Sequence, residues 1–147
     1  FSPSTFAHPM QDNKRVVLDT NCLIASLSAE GDFHKVWTSM VAGEYHLCYS
    51  NEILCEYEEI IARLTNTTIA ANVVQAIVNS PHTIKIDPHF RFQMIEADPD
   101  DNKFVDCAIA ANAQYVVSED RHFKVLEHIE FPHLLLVSLA EFIALLK

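Results

Sequence analysis

A short apolar strand that ends in a carboxylate is the feature that most constrains the fold of this chain. Residues 15–21 read R-V-V-L-D-T-N, an apolar run bounded by polar residues. Such a run favours a central strand that is covered on both faces. Open α/β sheets bind their ligands just beyond the carboxyl ends of these strands. Asp19 is therefore a candidate for a ligand site, and a turn or helix-cap role for Asp19 and Asn21 is the alternative.

Predicted strands and helices alternate along the rest of the chain. The strands are predicted over 45–49, 82–86, 114–117 and 134–137. Two helical pieces are predicted between Cys22 and Ala42, separated near Gly31, and further helices over 52–64, 67–79, 101–113, 121–126 and 139–146. Ser138 and Glu141 have the spacing of a capping box for the last helix. The alternation predicts an α/β fold, a three-layer α/β/α sandwich with a mainly parallel central sheet.

Length and composition predict one globular domain. The chain has 147 residues, half of them hydrophobic, which suffices for one core and is short for two. Because no apolar run reaches the roughly 18 residues of a membrane span, we expect a cytoplasmic protein with no membrane contact. Residues 1–9 lack periodicity and precede Met10, so we expect a cloning remnant or a disordered tail there, and the domain over 10–147. The cysteines, none in a C-x-x-C pair, predict buried reduced thiols: Cys22, Cys48, Cys55 and Cys107.

The chain is strongly acidic. Twenty Asp and Glu residues outnumber ten Lys and Arg residues and give a formal net charge of −10. A surface that binds duplex nucleic acid carries clustered basic residues, and the basic residues here are spread along the chain. Converging carboxylates would instead suit a hard divalent cation, which takes oxygen ligands. A solvated acidic face and a surface for a basic partner are the alternatives.

Glu56 is the acidic residue of the predicted helix 52–64 that best suits a site. At about 100° per residue it falls on the border of the arc that faces the core. Glu52, Glu58 and Glu59 wind further towards solvent. A tolerated boundary glutamate is the alternative for Glu56. The residues predicted to face the core are Ile53, Tyr57, Ile60, Ile61 and Leu64.

The helix predicted from Asp101 places an aspartate among apolar residues. On a helical wheel, Asp101 falls in the middle of the arc predicted to be buried, and Asp106 falls on the opposite side. A buried aspartate is costly unless it is paired or binds a metal, although an ordinary acidic helix start is the alternative. Asp120 follows a predicted strand, as Asp19 does. The apolar residues of the arc are Phe104, Val105, Ala108 and Ile109.

Taken in order, these motifs resemble those of the PIN-domain ribonucleases, in particular the bacterial branch related to VapC-type toxins of toxin–antitoxin pairs. The motifs are V-V-L-D-T-N, an S-x-x-x-x-x-E helix, D-D-N-K-F-V-D-C-A and Y-V-V-S-E-D, from Arg15 onwards. The resemblance implies an acidic cluster that binds one or two Mg²⁺ or Mn²⁺ ions. The implied cluster consists of Asp19, Glu56, Asp101 and Asp120. The implied accessory polar residues are Asn21 and Ser118.

The implied activity is hydrolysis of RNA phosphodiester bonds by a metal-activated water. The implied partners are an RNA substrate and a cognate antitoxin. Lys103, Arg121 and Lys124 are the basic residues nearest the implied site, so we expect weak RNA affinity or contacts supplied by a partner. The apolar helix over 139–146 favours burial in the core or at a homodimer interface.

Other classes of function fit parts of the pattern. A haloacid-dehalogenase-type phosphatase needs a second acid two residues after the first, where this chain has Asn21. A response-regulator receiver needs paired acids before its aspartate and a lysine at a strand end, which have no match here. In a non-catalytic binding module, the acids would be surface or capping residues and the last helix would mediate assembly.

Overall fold

The computed structural model describes residues 14–89, 91, 95, 101–120, 123 and 134–146. The tail predicted over 1–9 and, apart from Phe123, the helix predicted over 121–126 lie outside these residues. The strands are β1 (Arg15–Leu18), β2 (His46–Tyr49), β3 (Ile84–Lys85), β4 (Tyr115–Val117) and β5 (Leu135–Val137). The helices are α1 (Thr20–Ala25), α2 (His34–Ala42), α3 (Asn51–Leu64), α4 (Thr67–Asn79), α5 (Asn102–Ala111) and α6 (Leu139–Leu145).

The five described strands form one parallel sheet in the order β3-β2-β1-β4-β5. The chain runs outwards from β1 to β3 and then crosses back to β4 and β5. Helix α5 lies against β1, β2 and β4, and α4 packs on α3. Because such crossovers are right-handed in about 98% of cases, α5 is expected on the face opposite to the helices that precede β3. The predicted α/β fold with a parallel sheet is confirmed. The direction of travel reverses between β1 and β4, so a ligand crevice is expected where these two strands end.

The central strand β1 is buried along most of its length. Val16 and Val17 have no exposed surface and Leu18 is 1% exposed, as expected for a strand covered on both faces. The predicted core strand is confirmed.

Away from β1, Tyr45 packs edge-on against Phe142 of α6, with 5.0 Å between the ring centroids. No helix within the described residues combines the length and apolar character needed to cross a membrane.

Several helix ends have the capping groups that the sequence predicts. The Ser50 hydroxyl accepts a hydrogen bond from the amide of Ile53 and caps α3, and Ser138 and Glu141 form the predicted capping box of α6. Helix α5 ends at Ala111, two residues earlier than predicted. The reason is Asn112, whose φ of 56° is left-handed and stops the helix.

Three burial predictions are wrong. Leu64 is 63% exposed, because it is the last residue of α3 and lies beyond the packed part of that helix. Cys55 is exposed, since it winds to the solvent side of α3. Asp106 is 2% exposed although it was predicted to face away from the core. Helix α5 is buried on more than one side, so a single core-facing arc does not describe it.

Candidate active site

The candidate site lies where β1 and β4 end side by side. In the parallel register of these strands, Leu18 pairs with Val117. The amide of Asp19 then donates a hydrogen bond to the carbonyl of Val117 at 3.0 Å. This bond brings the residue after β1 next to the segment after β4, which carries Ser118 and Asp120. The position is the switch point of the sheet, as the sequence predicts for Asp19.

The Asp19 carboxylate is held by two hydrogen bonds. Its Oδ1 accepts from the amide of Thr20 at 2.7 Å, in the N-cap position of α1. Its Oδ2 accepts from the hydroxyl of Ser118 at 2.9 Å. Only 7% of Asp19 is exposed. The capping role and the candidate functional role therefore belong to the same side chain, and the accessory residue Ser118 contacts it directly.

The electrostatic environment disfavours the negative charge of Asp19. Burial raises the pKa of this carboxyl group, and the neighbouring charges of Asp120 and Glu56 raise it further. The hydrogen bonds from Ser118 and Thr20 oppose this effect, but burial is the largest cause and the pKa remains above its ordinary value. The charges of two other predicted site carboxylates therefore act on Asp19.

The stability of the metal-free protein should reflect this raised pKa. The unfolded carboxyl titrates near its ordinary pKa of about 3.9, and the folded one titrates higher. As the pH falls, the folded state therefore takes up a proton before the unfolded state does. The charge of Asp19 destabilises the fold fully at neutral pH, and this destabilisation disappears between the raised pKa of the folded state and the ordinary pKa of the unfolded state. We expect the melting temperature of Asp19→Asn minus that of the wild type, measured in EDTA, to decrease between pH 7 and pH 4. A difference that is independent of pH would contradict the raised pKa.

Glu56 is fixed from two sides. Its Oε2 accepts a hydrogen bond from the hydroxyl of Thr20 at 2.5 Å, and its Oε1 lies 2.6 Å from the ammonium nitrogen of Lys103. The next residue of α3, Tyr57, is fully buried and donates a hydrogen bond to the carbonyl of Leu18 at 2.6 Å. Helix α3 is thereby anchored to the end of β1, which explains why Glu56 reaches the site from the border of the core-facing arc of α3.

The remaining predicted site residues lie at the ends of elements. The amide of Asp120 donates a hydrogen bond to Ser118 at 2.9 Å, so the hydroxyl of Ser118 bridges Asp19 and the Asp120 backbone. Asp101 occupies the N-cap position of α5, where the residue is partly exposed and its Oδ2 is buried. Asn21 is exposed on α1.

Two contacts at the site were not predicted from the sequence. Thr20 is 4% exposed and links the Asp19 and Glu56 carboxylates. Lys103 was predicted only to be one of the basic residues nearest the site, and in the structure it forms an ion pair with Glu56. The position of Thr20 directly after Asp19 in the sequence could have indicated that Thr20 contacts the site. For Lys103, only the packing of α5 near α3 reveals the partner.

The donor set suits a hard divalent cation, although the side chains are not grouped around one. Among the described residues, no three side chains of His, Cys, Asp or Glu are placed to hold a metal ion. The carboxylates of Asp19, Glu56 and Asp120 nevertheless supply only oxygen donors, which Mg²⁺ and Mn²⁺ prefer. Their mutual repulsion would be relieved by a bound cation. The chemistry of these donors therefore suits such an ion, and in this structure the Glu56 carboxylate contacts the ammonium of Lys103 instead.

The fold and the site define an α/β protein with acidic side chains at the switch point of a parallel sheet. The family model described as PIN domain matches residues 15–122, which is most of the chain. The chain therefore belongs to the PIN domain family, and the resemblance inferred from its motifs is confirmed.

Solved structures with the same fold include two bacterial proteins. VapBC2 from Rickettsia felis, bound to a DNA fragment from their promoter, matches with a TM-score of 0.58 and 16% identity over 84% of this chain and 98% of that chain. FitAcB from Neisseria gonorrhoeae matches with a TM-score of 0.53 and 15% identity over 85% of this chain and 98% of that chain. At these identities the likeness establishes the fold alone. No protein of curated function matches this sequence.

Proposed function

We propose that this chain is a metal-dependent endoribonuclease that hydrolyses RNA phosphodiester bonds, and that it is the toxin of a toxin–antitoxin pair. PIN domains are generally nucleases, and the family generally uses divalent metal ions. The observation that carries the proposal is the carboxylate of Asp19, which is held at the switch point by Thr20 and Ser118 while the charges of Glu56 and Asp120 act on it. Such an arrangement costs stability unless a cation uses it.

Four residues would hold the ion, and their neighbours would orient them. The proposed ligands are Asp19, Glu56, Asp101 and Asp120. A bound Mg²⁺ or Mn²⁺ would supply Lewis acidity and positive charge for the attack of water on phosphorus, which breaks the bond to the 3′ oxygen. The Ser118 hydroxyl and the Thr20 amide fix the orientation of the Asp19 carboxylate. The hydroxyl of Thr20 orients Glu56. The chain itself contributes no covalent nucleophile in this scheme.

The proposed partners are an RNA substrate, an antitoxin protein and a second copy of the chain in a homodimer. The net charge of −10 gives this protein little attraction for RNA phosphates. A bound cation would supply positive charge locally. The antitoxin is proposed from the resemblance to VapC-type toxins, and VapBC2 from Rickettsia felis is among the solved structures with the same fold. The proposed location of the protein is the cytoplasm.

Binding of Mn²⁺ to the wild-type protein tests this proposal. Because a ligand that binds only the folded state stabilises it, Mn²⁺ should raise the melting temperature relative to EDTA, corresponding to about 2.7 kcal/mol at 100 times the Kd. The same Mn²⁺ concentration should permit cleavage of RNA into products with 3′-hydroxyl ends. Melting curves and product end-group analysis measure the two effects. Cleavage that persists in EDTA would contradict metal dependence.

A non-catalytic binding module is the second candidate. The observation that favours it is that Lys103 neutralises Glu56 and that no three described acidic, His or Cys side chains are grouped for a metal. In that case, neither Mn²⁺ nor Mg²⁺ would change the melting temperature, and RNA would remain intact. The experiment above therefore separates the two functions.

A further inference from the structure

The ion pair between Lys103 and Glu56 differs from the other ion pairs of the described residues. Its Nζ to Oε1 distance is 2.6 Å, and the two side chains are only 13% and 28% exposed. In the other three described ion pairs, every side chain is at least 46% exposed. Surface pairs of that kind contribute little, whereas partial burial strengthens the attraction between the charges. The Lys103–Glu56 pair is thus the one expected to restrain its partners.

Both oxygens of the Glu56 carboxylate are engaged in this arrangement. Lys103 lies at Oε1, and the hydroxyl of Thr20 donates to Oε2 at 2.5 Å. The ammonium of Lys103 also lies 5.2 Å from the centroid of the Phe104 ring, which is fully buried. Lys103 is in the first turn of α5 and Glu56 is in the second turn of α3, so the pair joins two helices at the edge of the site. A cation that uses Glu56 must compete with a positive charge already in place.

We propose that Lys103 is a positioning residue that holds Glu56 in the metal-free protein and lowers the affinity of the site for divalent cations. The proposal rests on the metal-dependent function proposed above. The ammonium offsets the repulsion between Glu56 and Asp19 while no metal is bound. When a metal binds, the same ammonium either gives up Glu56 or remains as a like charge beside the ion. Both effects weaken metal binding relative to a chain without this charge.

The Lys103→Met variant tests the proposal by metal affinity. Methionine keeps a similar unbranched stem and removes the charge. We expect calorimetric titration with Mn²⁺ to show binding about threefold to tenfold tighter than in the wild type, as expected for one partly screened charge near an ion site. Lys103→Arg, which keeps the charge, should restore an affinity close to that of the wild type. The matched control is Lys85→Met, which breaks an exposed ion pair with Asp87 and should leave the affinity unchanged.

A second measurement tests the positioning role without any metal. In EDTA, Lys103→Met, Glu56→Gln and the double variant form a double-mutant cycle for thermal stability. Positioning by the ion pair predicts that the effects of the two substitutions on the melting temperature are not additive, because each alone already breaks the pair.

A comparison of melting temperatures with EDTA and with Mn²⁺ distinguishes the proposed role from a purely structural one. A purely structural lysine would lower the melting temperature equally under both conditions, whereas the proposed role predicts a larger Mn²⁺-induced rise in Lys103→Met than in the wild type.

The two measurements separate failure of this inference from failure of the proposed function. If the wild type binds Mn²⁺ and Lys103→Met binds it equally or more weakly, the inference is overturned and the metal-dependent function still stands. Absence of Mn²⁺ binding in both proteins would overturn the proposed function and the competition with metal. In that case, the cycle in EDTA still decides the positioning of Glu56: additive effects overturn it, and non-additive effects support it.

Discussion

Replacing Asp19 with asparagine is expected to lower the rate of RNA cleavage by a factor of about 100 or more, since loss of residues that merely support metal ligands already costs 10–100-fold. The fold should persist. The asparagine Oδ1 can still accept the hydrogen bond from the Thr20 amide, and removing a charge that burial disfavours does not destabilise the metal-free protein. Single-turnover cleavage with Mn²⁺ and melting curves in EDTA measure the two effects.

A matched control makes the Asp19 result specific. Asp32→Asn removes the same charge from an exposed position in the segment between α1 and α2. Its cleavage rate and its response to Mn²⁺ should equal those of the wild type. If Asp19→Asn cleaved RNA as fast as Asp32→Asn, Asp19 would be a capping residue and the metal site would have to lie elsewhere.

The features that could be predicted from the sequence are those set by local pattern. The apolar run before Asp19 predicts a buried strand, and the parallel alternation then requires the carboxyl ends of β1 and β4 to lie at the same edge of the sheet. That requirement alone brings Asp19 towards the segment that contains Ser118 and Asp120. Ser118, which donates a hydrogen bond to Asp19, lies 99 residues further along the chain. Side-chain periodicity likewise places Glu56 on the border of the core-facing arc of α3, and the structure shows this residue half-buried.

The features that could not be predicted depend on which elements pack together. The partner of Glu56 is a lysine on another helix, and neither residue carries a local sign of the other. Helical winding also assumes a single buried face, and this assumption fails for α5, in which Phe104 and Asp106 are both buried. The side chain of Thr20 contacts a residue 36 positions away, so its role depends on the docking of α3 against the end of β1.

Truncating Phe104 to alanine should have the largest effect on stability, because this residue fills the core directly beside the candidate site. Its side chain is fully buried, and its ring packs edge-on against Phe123 with 6.3 Å between centroids. Removing a buried phenylalanine side chain costs about 3–5 kcal/mol of unfolding free energy, from lost burial and from the cavity that remains. That is a large fraction of the roughly 5–15 kcal/mol by which domains are stable. Urea unfolding in EDTA measures this loss.

The Phe104 variant also separates damage to the fold from damage to the site. Its loss of activity should follow the unfolded fraction of the protein, whereas Asp19→Asn should lose activity while fully folded. Leu64→Ala is the control, because Leu64 is 63% exposed and its truncation should change the unfolding free energy by no more than about 0.5 kcal/mol. If Phe104→Ala stayed within about 1 kcal/mol of the wild type, the core beneath α5 would not be packed as described. The pairing of Lys103 with Glu56 would then lose part of its support, since Lys103 directly precedes Phe104 on α5 and its ammonium lies 5.2 Å from the centroid of the Phe104 ring.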